Sequence, residues 1–154
     1  YRLAFIKLAS DKEEDRNQAR ESLEKAAKTD PAVAGRVLGE AWLRGRLSKE
    51  PDFDKAMQWW LIAADTNDVI SIMLVARAYD GQFGFPDKRD VKKATEAYRK
   101  AAELGDPGAM RFLGEAYAGG IGVKRDLAQA AIWLRKALAA GDSDAEAVLK
   151  KCCP

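Results

Sequence analysis

A spacing of 36 to 38 residues between equivalent alanines constrains this chain more than any other feature of its sequence. Ala19, Ala56, Ala94 and Ala130 lie 37, 38 and 36 residues apart. Each alanine has an aspartate four residues before it and a leucine or an aromatic residue four residues after it. Since several residue types keep one period, the chain consists of repeats, which fold as supersecondary units that bury their apolar faces only by stacking.

The most regular unit spans residues 109–138 and predicts a helix, a turn and a second helix. Apolar residues recur at intervals of three and four in both of its halves, as on an amphipathic helix. These residues are Ala109, Phe112, Leu113, Ala116 and Tyr117, then Ala130, Trp133, Leu134, Ala137 and Leu138. Asp126 is placed to cap the second helix, and the glycines between the halves favour a turn.

Small residues recur at one position in the first helix of each unit, namely Gly39, Ala76 and Gly114. Glycine inside a helix costs about 1 kcal/mol relative to alanine. The recurrence therefore predicts a close approach of a neighbouring helix. Trp59 and Trp60 match large positions of the repeat, which favours core packing over ligand stacking.

The repeated pattern resembles Sel-1-like repeats, relatives of the tetratricopeptide repeat. Its elements are A-x-x-x-L-G-x-x-Y, a glycine-containing turn, G-V-x-x-D-x-x-x-A-x-x-W-L-x-K-A and a closing G-D, all present between Ala109 and Asp142. The earlier units keep the pattern less fully. The resemblance implies an all-α fold, a right-handed α/α solenoid of stacked helix-turn-helix repeats.

The repeat boundaries divide the chain into five segments of one solenoid domain. They are a partial leading repeat at 1–30, three repeats at 31–67, 68–105 and 106–141, and the first helix of a following or capping repeat at 142–154.

Composition excludes several kinds of chemistry. The chain has no histidine, so imidazole acid-base catalysis and histidine metal sites are absent. Cys152 and Cys153 are adjacent near the end, which fits a terminal helical turn better than a zinc or disulfide framework, and their redox state stays open. A net charge of +2 with interspersed acids argues against nucleic-acid binding. We predict no catalytic residues, no cofactor and no metal; carboxylate acid-base catalysis is a remote alternative.

The glycine-rich segment Leu113 to Val123 resembles a phosphate loop at first sight. A phosphate loop needs a lysine followed by serine or threonine between a strand and a helix. Here Lys124 is followed by Arg125, and the equivalent segments of the other units keep no glycine arrangement. We therefore interpret Gly119, Gly120 and Gly122 as a reversal of the chain through positive φ.

The resemblance implies a non-catalytic adaptor or scaffold that binds a protein partner on the curved surface of the repeats. The first-helix positions that point away from the apolar stripe are the predicted partner-binding residues. They are Arg36, Glu40, Met73, Arg77, Arg111 and Glu115. The alternative is that these side chains are merely solvated. A second candidate surface is the loop with Phe83, Phe85 and Pro86.

The resemblance also implies a setting, a bacterial envelope, secretion or motility-related assembly. A dedicated inhibitor or immunity-type protein that occludes a toxin or enzyme is the alternative function. The chain starts at Tyr1, so a signal peptide would already be missing, and a periplasmic or cytoplasmic location stays open. The partner's identity and the oligomeric state are also open.

Overall fold

The computed structural model describes residues 1–153, and every regular element among them is helical, as the repeat pattern predicts. A short 3-10 turn at Pro86–Lys88 is the remaining helical element. The nine α-helices of the described chain are α1 (Arg2–Leu8), α2 (Glu13–Ala26), α3 (Pro31–Leu43), α4 (Phe53–Ala64), α5 (Val69–Tyr79), α6 (Val91–Glu103), α7 (Pro107–Gly119), α8 (Leu127–Ala139) and α9 (Asp144–Cys152).

Tertiary contacts divide the chain into two compact units. Unit 1 is Tyr1–Ser71 and unit 2 begins at Ile72, so the boundary falls inside α5. In unit 1, α1 packs on α2, α2 on α3 and α3 on α4. In unit 2, α6 packs on α7, α7 on α8 and α8 on α9. Helices adjacent in sequence therefore pack together within each unit.

Aspartate side chains cap the start of six helices. Each accepts a hydrogen bond from the backbone N–H three residues later, an N–H that the helix itself leaves without an acceptor. These residues are Asp30, Asp52, Asp68, Asp90, Asp106 and Asp126. Asp15 shares the repeat spacing but lies inside α2 and accepts instead from the hydroxyl of Ser10.

One backbone hydrogen bond closes the turn of every full helix pair. The N–H of Asp52 donates to the carbonyl of Trp42, that of Asp90 to Tyr79, and that of Asp126 to Tyr117, at 3.0, 2.8 and 2.9 Å. The turns differ in length, but their ends are held by equivalent atoms.

The mid-helix glycines lie where two helices approach closely, as predicted. A Cβ added to Gly39 would overlap the Trp60 indole, 2.8 Å from its Cε2. At Gly114 the added Cβ would lie 2.6 Å from Cγ of Leu134. Trp60 and Leu134 hold the same position of the second helix in their repeats. Glycine thus makes room for a large side chain of the paired helix.

Each unit has its own apolar core. In unit 1, Leu8, Leu23, Leu38 and smaller residues from α1, α2 and α3 form one cluster, and Trp59 packs against it. Trp60 is buried as well, which confirms core packing for both tryptophans. In unit 2, Cys152 packs against a cluster around Leu134, in the last turn of α9.

Two of the three glycines assigned to the reversal between α7 and α8 have the predicted positive φ. Gly120 and Gly122 have φ of 68° and 67°, a region open mainly to glycine. Gly119 is instead the last residue of α7 and has no positive φ, so its assignment to the reversal was wrong. A Cβ on Gly122 would overlap the carbonyl oxygen of Val91 and lie 2.5 Å from Oγ1 of Thr95. This turn therefore packs directly on α6.

Replacing Gly122 by alanine should lower the free energy of unfolding by about 2–4 kcal/mol, because overpacking adds to the strain of positive φ. Gly84→Ala is the matched control, since Gly84 has φ of 83° and nothing within 4 Å of an added Cβ. That variant should lose only about 1–2 kcal/mol from backbone strain. Urea unfolding of both variants measures the difference. Equal losses would contradict the tight packing of this turn on α6.

Candidate functional site

A groove lies beside α1 and α3 in unit 1, with a volume of about 170 Å³; we call it groove 1. Its floor is apolar and its edge carries charged side chains, one of them Glu40. Arg44 donates to Glu40 at 2.8 Å across that edge. The lining residues are Phe5, Leu8, Ala9, Val37, Glu40, Ala41, Arg44 and Arg46.

A second groove, of about 150 Å³, lies in unit 2 and is called groove 2. The rings of Tyr98 and Phe112 stack in its wall with centroids 4.7 Å apart. Glu115 lines it at the position that corresponds to Glu40. The remaining lining residues are Asp80, Arg89, Val91, Ala94, Thr95, Ala116 and Ile121.

The two grooves use the same positions of the repeat. Four lining residues of groove 1 that belong to α3 and the turn after it have counterparts 75 positions later in groove 2, with identical residues at two of the four positions. The pairs are Val37 with Phe112, Glu40 with Glu115, Ala41 with Ala116, and Arg46 with Ile121. The repeat thus forms a cleft at a fixed position of its first helix and varies the side chains that line it.

Two of the predicted partner-binding residues, Arg36 and Arg111, form ion pairs with an aspartate at the start of the next repeat. Arg36 donates to Asp68 at 2.6 Å, and the two side chains are 24% and 20% exposed. Arg111 donates to Asp142 at 2.9 Å, with 21% and 11% exposure, and also to Glu115. Each arginine therefore ties the first helix of a repeat to the start of the next repeat.

The carboxylates at these ion pairs also order the backbone that follows. Partial burial alone would raise the pKa of Asp68, but hydrogen bonds from Arg36 and Ser71 outweigh it and lower that pKa. Asp68 accepts from the backbone N–H of Ser71 at 2.9 Å. Burial likewise disfavours the charged form of Arg111, yet its bonds to Asp142 and Glu115 raise its pKa. Both arginines therefore have a structural role.

The other predicted site residues differ in their surroundings. Glu40 is exposed and Glu115 half-buried, and each lines a groove. Met73 is half-buried. Arg77 is exposed, donates to Gln82 at 2.9 Å, and lies over the Phe83 ring at 5.3 Å. The structure thus brings Arg111 and Glu115 into contact, while a role of the six residues in binding a partner stays a prediction.

The loop before α6 was the second candidate surface. Phe83 and Phe85 are both half-buried, and Pro86 is exposed. Phe83 and Phe85 align with Ile121 and Val123, which favours packing of both rings over contact with a partner, and their half-burial agrees with that preference.

Within residues 1–153, no three cysteine, aspartate or glutamate side chains are grouped as a metal ion would require. Every helix in the same range is too short or too polar to cross a bilayer.

The Sel1 repeat family model matches residues 37–68, 72–106 and 107–142. The protein belongs to the Sel1 repeat family. A Sel1 repeat protein from Oxalobacter formigenes has a similar structure, with TM-score 0.71 and 28% identity over 85% of this chain and 96% of that one. Cysteine rich protein B of Helicobacter pylori is also similar in fold, with TM-score 0.60 and 24% identity over 84% of this chain and 96% of that one. Both support the α/α solenoid class for this Sel1 repeat protein.

Most of the groove residues were not predicted from the sequence, because the predicted site residues were confined to first-helix positions that point away from the apolar stripe. Phe5, Arg44 and Arg46 lie outside those positions. The signal in the sequence is the 75-residue offset, by which Arg46 and Ile121 occupy equivalent positions in the turns after α3 and α7. Sites built from a helix and its following turn are not revealed by helical periodicity alone.

Replacing Arg36 by alanine should lower the free energy of unfolding by about 1–2 kcal/mol at pH 7, since a half-buried charged hydrogen bond is lost. Arg135→Ala is the control, because Arg135 is exposed and should have an effect within about 0.5 kcal/mol. The effect should vanish in acid. Asp68 has a lowered folded pKa, so its contribution is complete above its ordinary pKa of 3.8 and is lost as the pH falls through the folded value.

Urea unfolding of wild type and Arg36→Ala at pH 7 and at pH 2 tests this ion pair. A difference that persists unchanged at pH 2 would show that Arg36 acts through its aliphatic stem and not through Asp68.

Ionisation of Tyr98 should destabilise the wild-type protein in strong base, and replacing Tyr98 by phenylalanine should remove this loss of stability. Burial raises the pKa of Tyr98 to about 12, and the charge of Asp80 adds to the effect. An unfolded tyrosine ionises near pH 10, so the tyrosine's contribution is complete below pH 10 and is lost as the pH rises towards 12. The stability of the variant relative to wild type, measured at pH 9 and pH 11.5, should therefore improve at the higher pH. The same relative stability at both pH values would contradict the burial of the Tyr98 hydroxyl in groove 2.

Proposed function

We propose that this protein is a non-catalytic interaction module that binds a protein partner in the grooves beside its first helices. The observation that carries the proposal is the occurrence of two apolar clefts at one position of the repeat, each with a glutamate at its edge. Protein interfaces combine apolar pockets that take anchor side chains with a polar, hydrated edge. The Sel1 family, whose repeats are generally interaction modules, supports this proposal.

The grooves fit anchor side chains better than a free small molecule. Ligand sites are usually clefts of about 300–1,000 Å³ that enclose most of the ligand. Each groove offers about half of the lower limit, with 170 and 150 Å³. A single large side chain of a partner fits such a space while the rest of the partner lies on the surrounding surface.

The predicted residues divide into two groups under this proposal. Glu40 and Glu115 belong to the binding surface, because they line the grooves. Arg36 and Arg111 act indirectly, since each holds the helix that bears a groove. Met73 and Arg77 stay candidates on α5. An envelope, secretion or motility-related assembly is the setting that the family resemblance implies for the partner.

Blocking variants test the proposal with little risk to folding. Ala9 is exposed at the edge of groove 1 and Ile121 is exposed at groove 2, so Ala9→Trp and Ile121→Arg should obstruct the clefts from the surface. Ala147→Trp and Ile132→Arg are matched controls on exposed sites that line neither groove. Immobilised protein captures partners from an extract of the native organism, and mass spectrometry identifies them.

At least one blocking variant should weaken the captured partner's affinity tenfold or more, about 1.4 kcal/mol, while both controls keep it. Thermal unfolding of all four variants provides the check on folding. Equal capture by wild type and both blocking variants would contradict the groove assignment. A Kd near nanomolar would favour an occluding inhibitor, whereas a micromolar Kd would favour an adaptor.

A further inference from the structure

Groove 1 lies in cationic surroundings. Helix α1 contributes Arg2 and Lys7 and no carboxylate. The turn after α3 adds Arg44, Arg46 and Lys49 within six residues. Of these, Arg44 is paired with Glu40. The same turn contains the carboxylates of Glu50 and Asp52, and Asp52 is paired with Lys55. Arg46 and Lys49 are therefore opposed within the turn by Glu50 alone.

Arg46 is the central cation of this surface. It is exposed, and within residues 1–153 its guanidinium has no hydrogen-bond or ion-pair partner. Its backbone is fixed, because its N–H donates to the carbonyl of Ala41 at 2.8 Å. The side chain borders groove 1 on one side and a polar cavity of about 300 Å³ on the other. A group bound in groove 1 therefore has this guanidinium next to it.

The polar cavity continues the same surface away from the apolar floor. It is lined by Leu8, which it shares with groove 1, and by Ser10, Asp11, Glu13, Arg16, Asn17, Gly45, Arg46, Leu47, Ser48 and Lys49. Arg16 donates to the carbonyl of Ser10, whereas Lys49 has no ion pair in the described part of the chain. Asp11, just before α2, and Glu13, its first residue, line the same cavity. Two cations of that turn, Arg46 and Lys49, thus stay available to a partner.

We infer that groove 1 takes a large apolar side chain of a partner protein segment whose neighbouring residues are carboxylates. The inference rests on the proposed function and adds the chemistry of the partner. An apolar cavity of about 150 Å³ holds a benzene-sized group, so 170 Å³ accommodates one leucine, isoleucine or phenylalanine side chain. Carboxylates beside it form charge-assisted hydrogen bonds with Arg46 and Lys49, which fix the register of the segment.

Groove 2 provides an internal contrast. Asp80 and Glu115 line it with one cation, Arg89, and the counterpart of Arg46 is the uncharged Ile121. Asp80 and Glu115 already have cationic partners in Arg89 and Arg111, so groove 2 offers a carboxylate no unpaired cation at the position of Arg46. The acidic segment is therefore selected by groove 1.

Random dodecapeptides displayed on phage and panned against the full chain are the probe for this inference. The selected peptides are then synthesised with a fluorophore, and their Kd is measured by fluorescence polarisation. The variants are Ala9→Trp, which fills groove 1, and the double reversal R46E/K49E. R135E/K151E is the matched control, because both residues are exposed cations of unit 2 that line neither groove. Circular dichroism and the Tm of each variant verify folding.

The expected peptides contain a large apolar residue with aspartate or glutamate within a few positions. Their Kd should rise at least tenfold with R46E/K49E, and by a similar factor when their carboxylates are changed to amides, whereas R135E/K151E leaves it unchanged. Ala9→Trp should abolish binding. Added salt should weaken binding as well, since exposed charges are screened.

Other outcomes overturn the inference in distinguishable ways. The selected peptides could lack acidic residues, bind R46E/K49E as well as wild type and fail to bind Ala9→Trp. That result overturns the charge assignment and leaves the proposed function standing. If every selected peptide binds the Ala9→Trp variant as well as wild type, groove 1 is not the binding site. If both blocking variants also capture the native partner normally, the proposed function fails too. A concentration-dependent dimer that Ala9→Trp dissociates would assign the groove to a second copy of the chain.

Discussion

The close approach of paired helices at Gly39 and Gly114 is the constraint on which the rest of each unit depends. At both positions a side chain as small as a methyl group would collide with Trp60 or Leu134 from the second helix. The pair can come together only because glycine is there, and the loss of about 1 kcal/mol in helix propensity is offset by burying a large side chain. Once this face of the first helix is committed to its partner, the residues beside it, Glu40 and Glu115, are left to line the grooves.

The ends of the helices are held by a small set of repeated polar contacts. Aspartates cap the helices, and the backbone of Asp52, Asp90 and Asp126 closes the turns onto Trp42, Tyr79 and Tyr117. Because these bonds fix where each turn starts and ends, the residues between them are free to differ. The middle turn carries two phenylalanines and a 3-10 turn, while the third has glycines at positions 120 and 122 and no aromatic residue. The same fixed frame places Arg46 and Ile121 at corresponding sites with different chemistry.

Much of the fold could be predicted from the sequence, because its determinants are local. The capping aspartates, the amphipathic helices and the glycines at helix crossings each act within one or two repeats and recur with the period. Contacts of Arg36 and Arg111 could not be predicted in this way. Their acceptors, Asp68 and Asp142, lie 32 and 31 residues later, and the middle repeat has Met73 in place of the arginine. The grooves were also missed, since groove 1 needs α1 to lie beside α3, a placement that no pattern within α3 indicates.

The shared position of the two grooves has a consequence for how such a protein changes over evolutionary time. The residues that make the helices pair are buried in the interior. Examples are Gly39 with Trp60 and Gly114 with Leu134. Those that give a groove its polarity stand at the turn, where Arg46 in one unit corresponds to the exposed Ile121 in the other. A change at Arg46 or Ile121 alters the chemistry of the groove edge and leaves the pairing of the helices intact. Duplicating a repeat therefore supplies a second cleft whose lining can diverge while that of the first is retained.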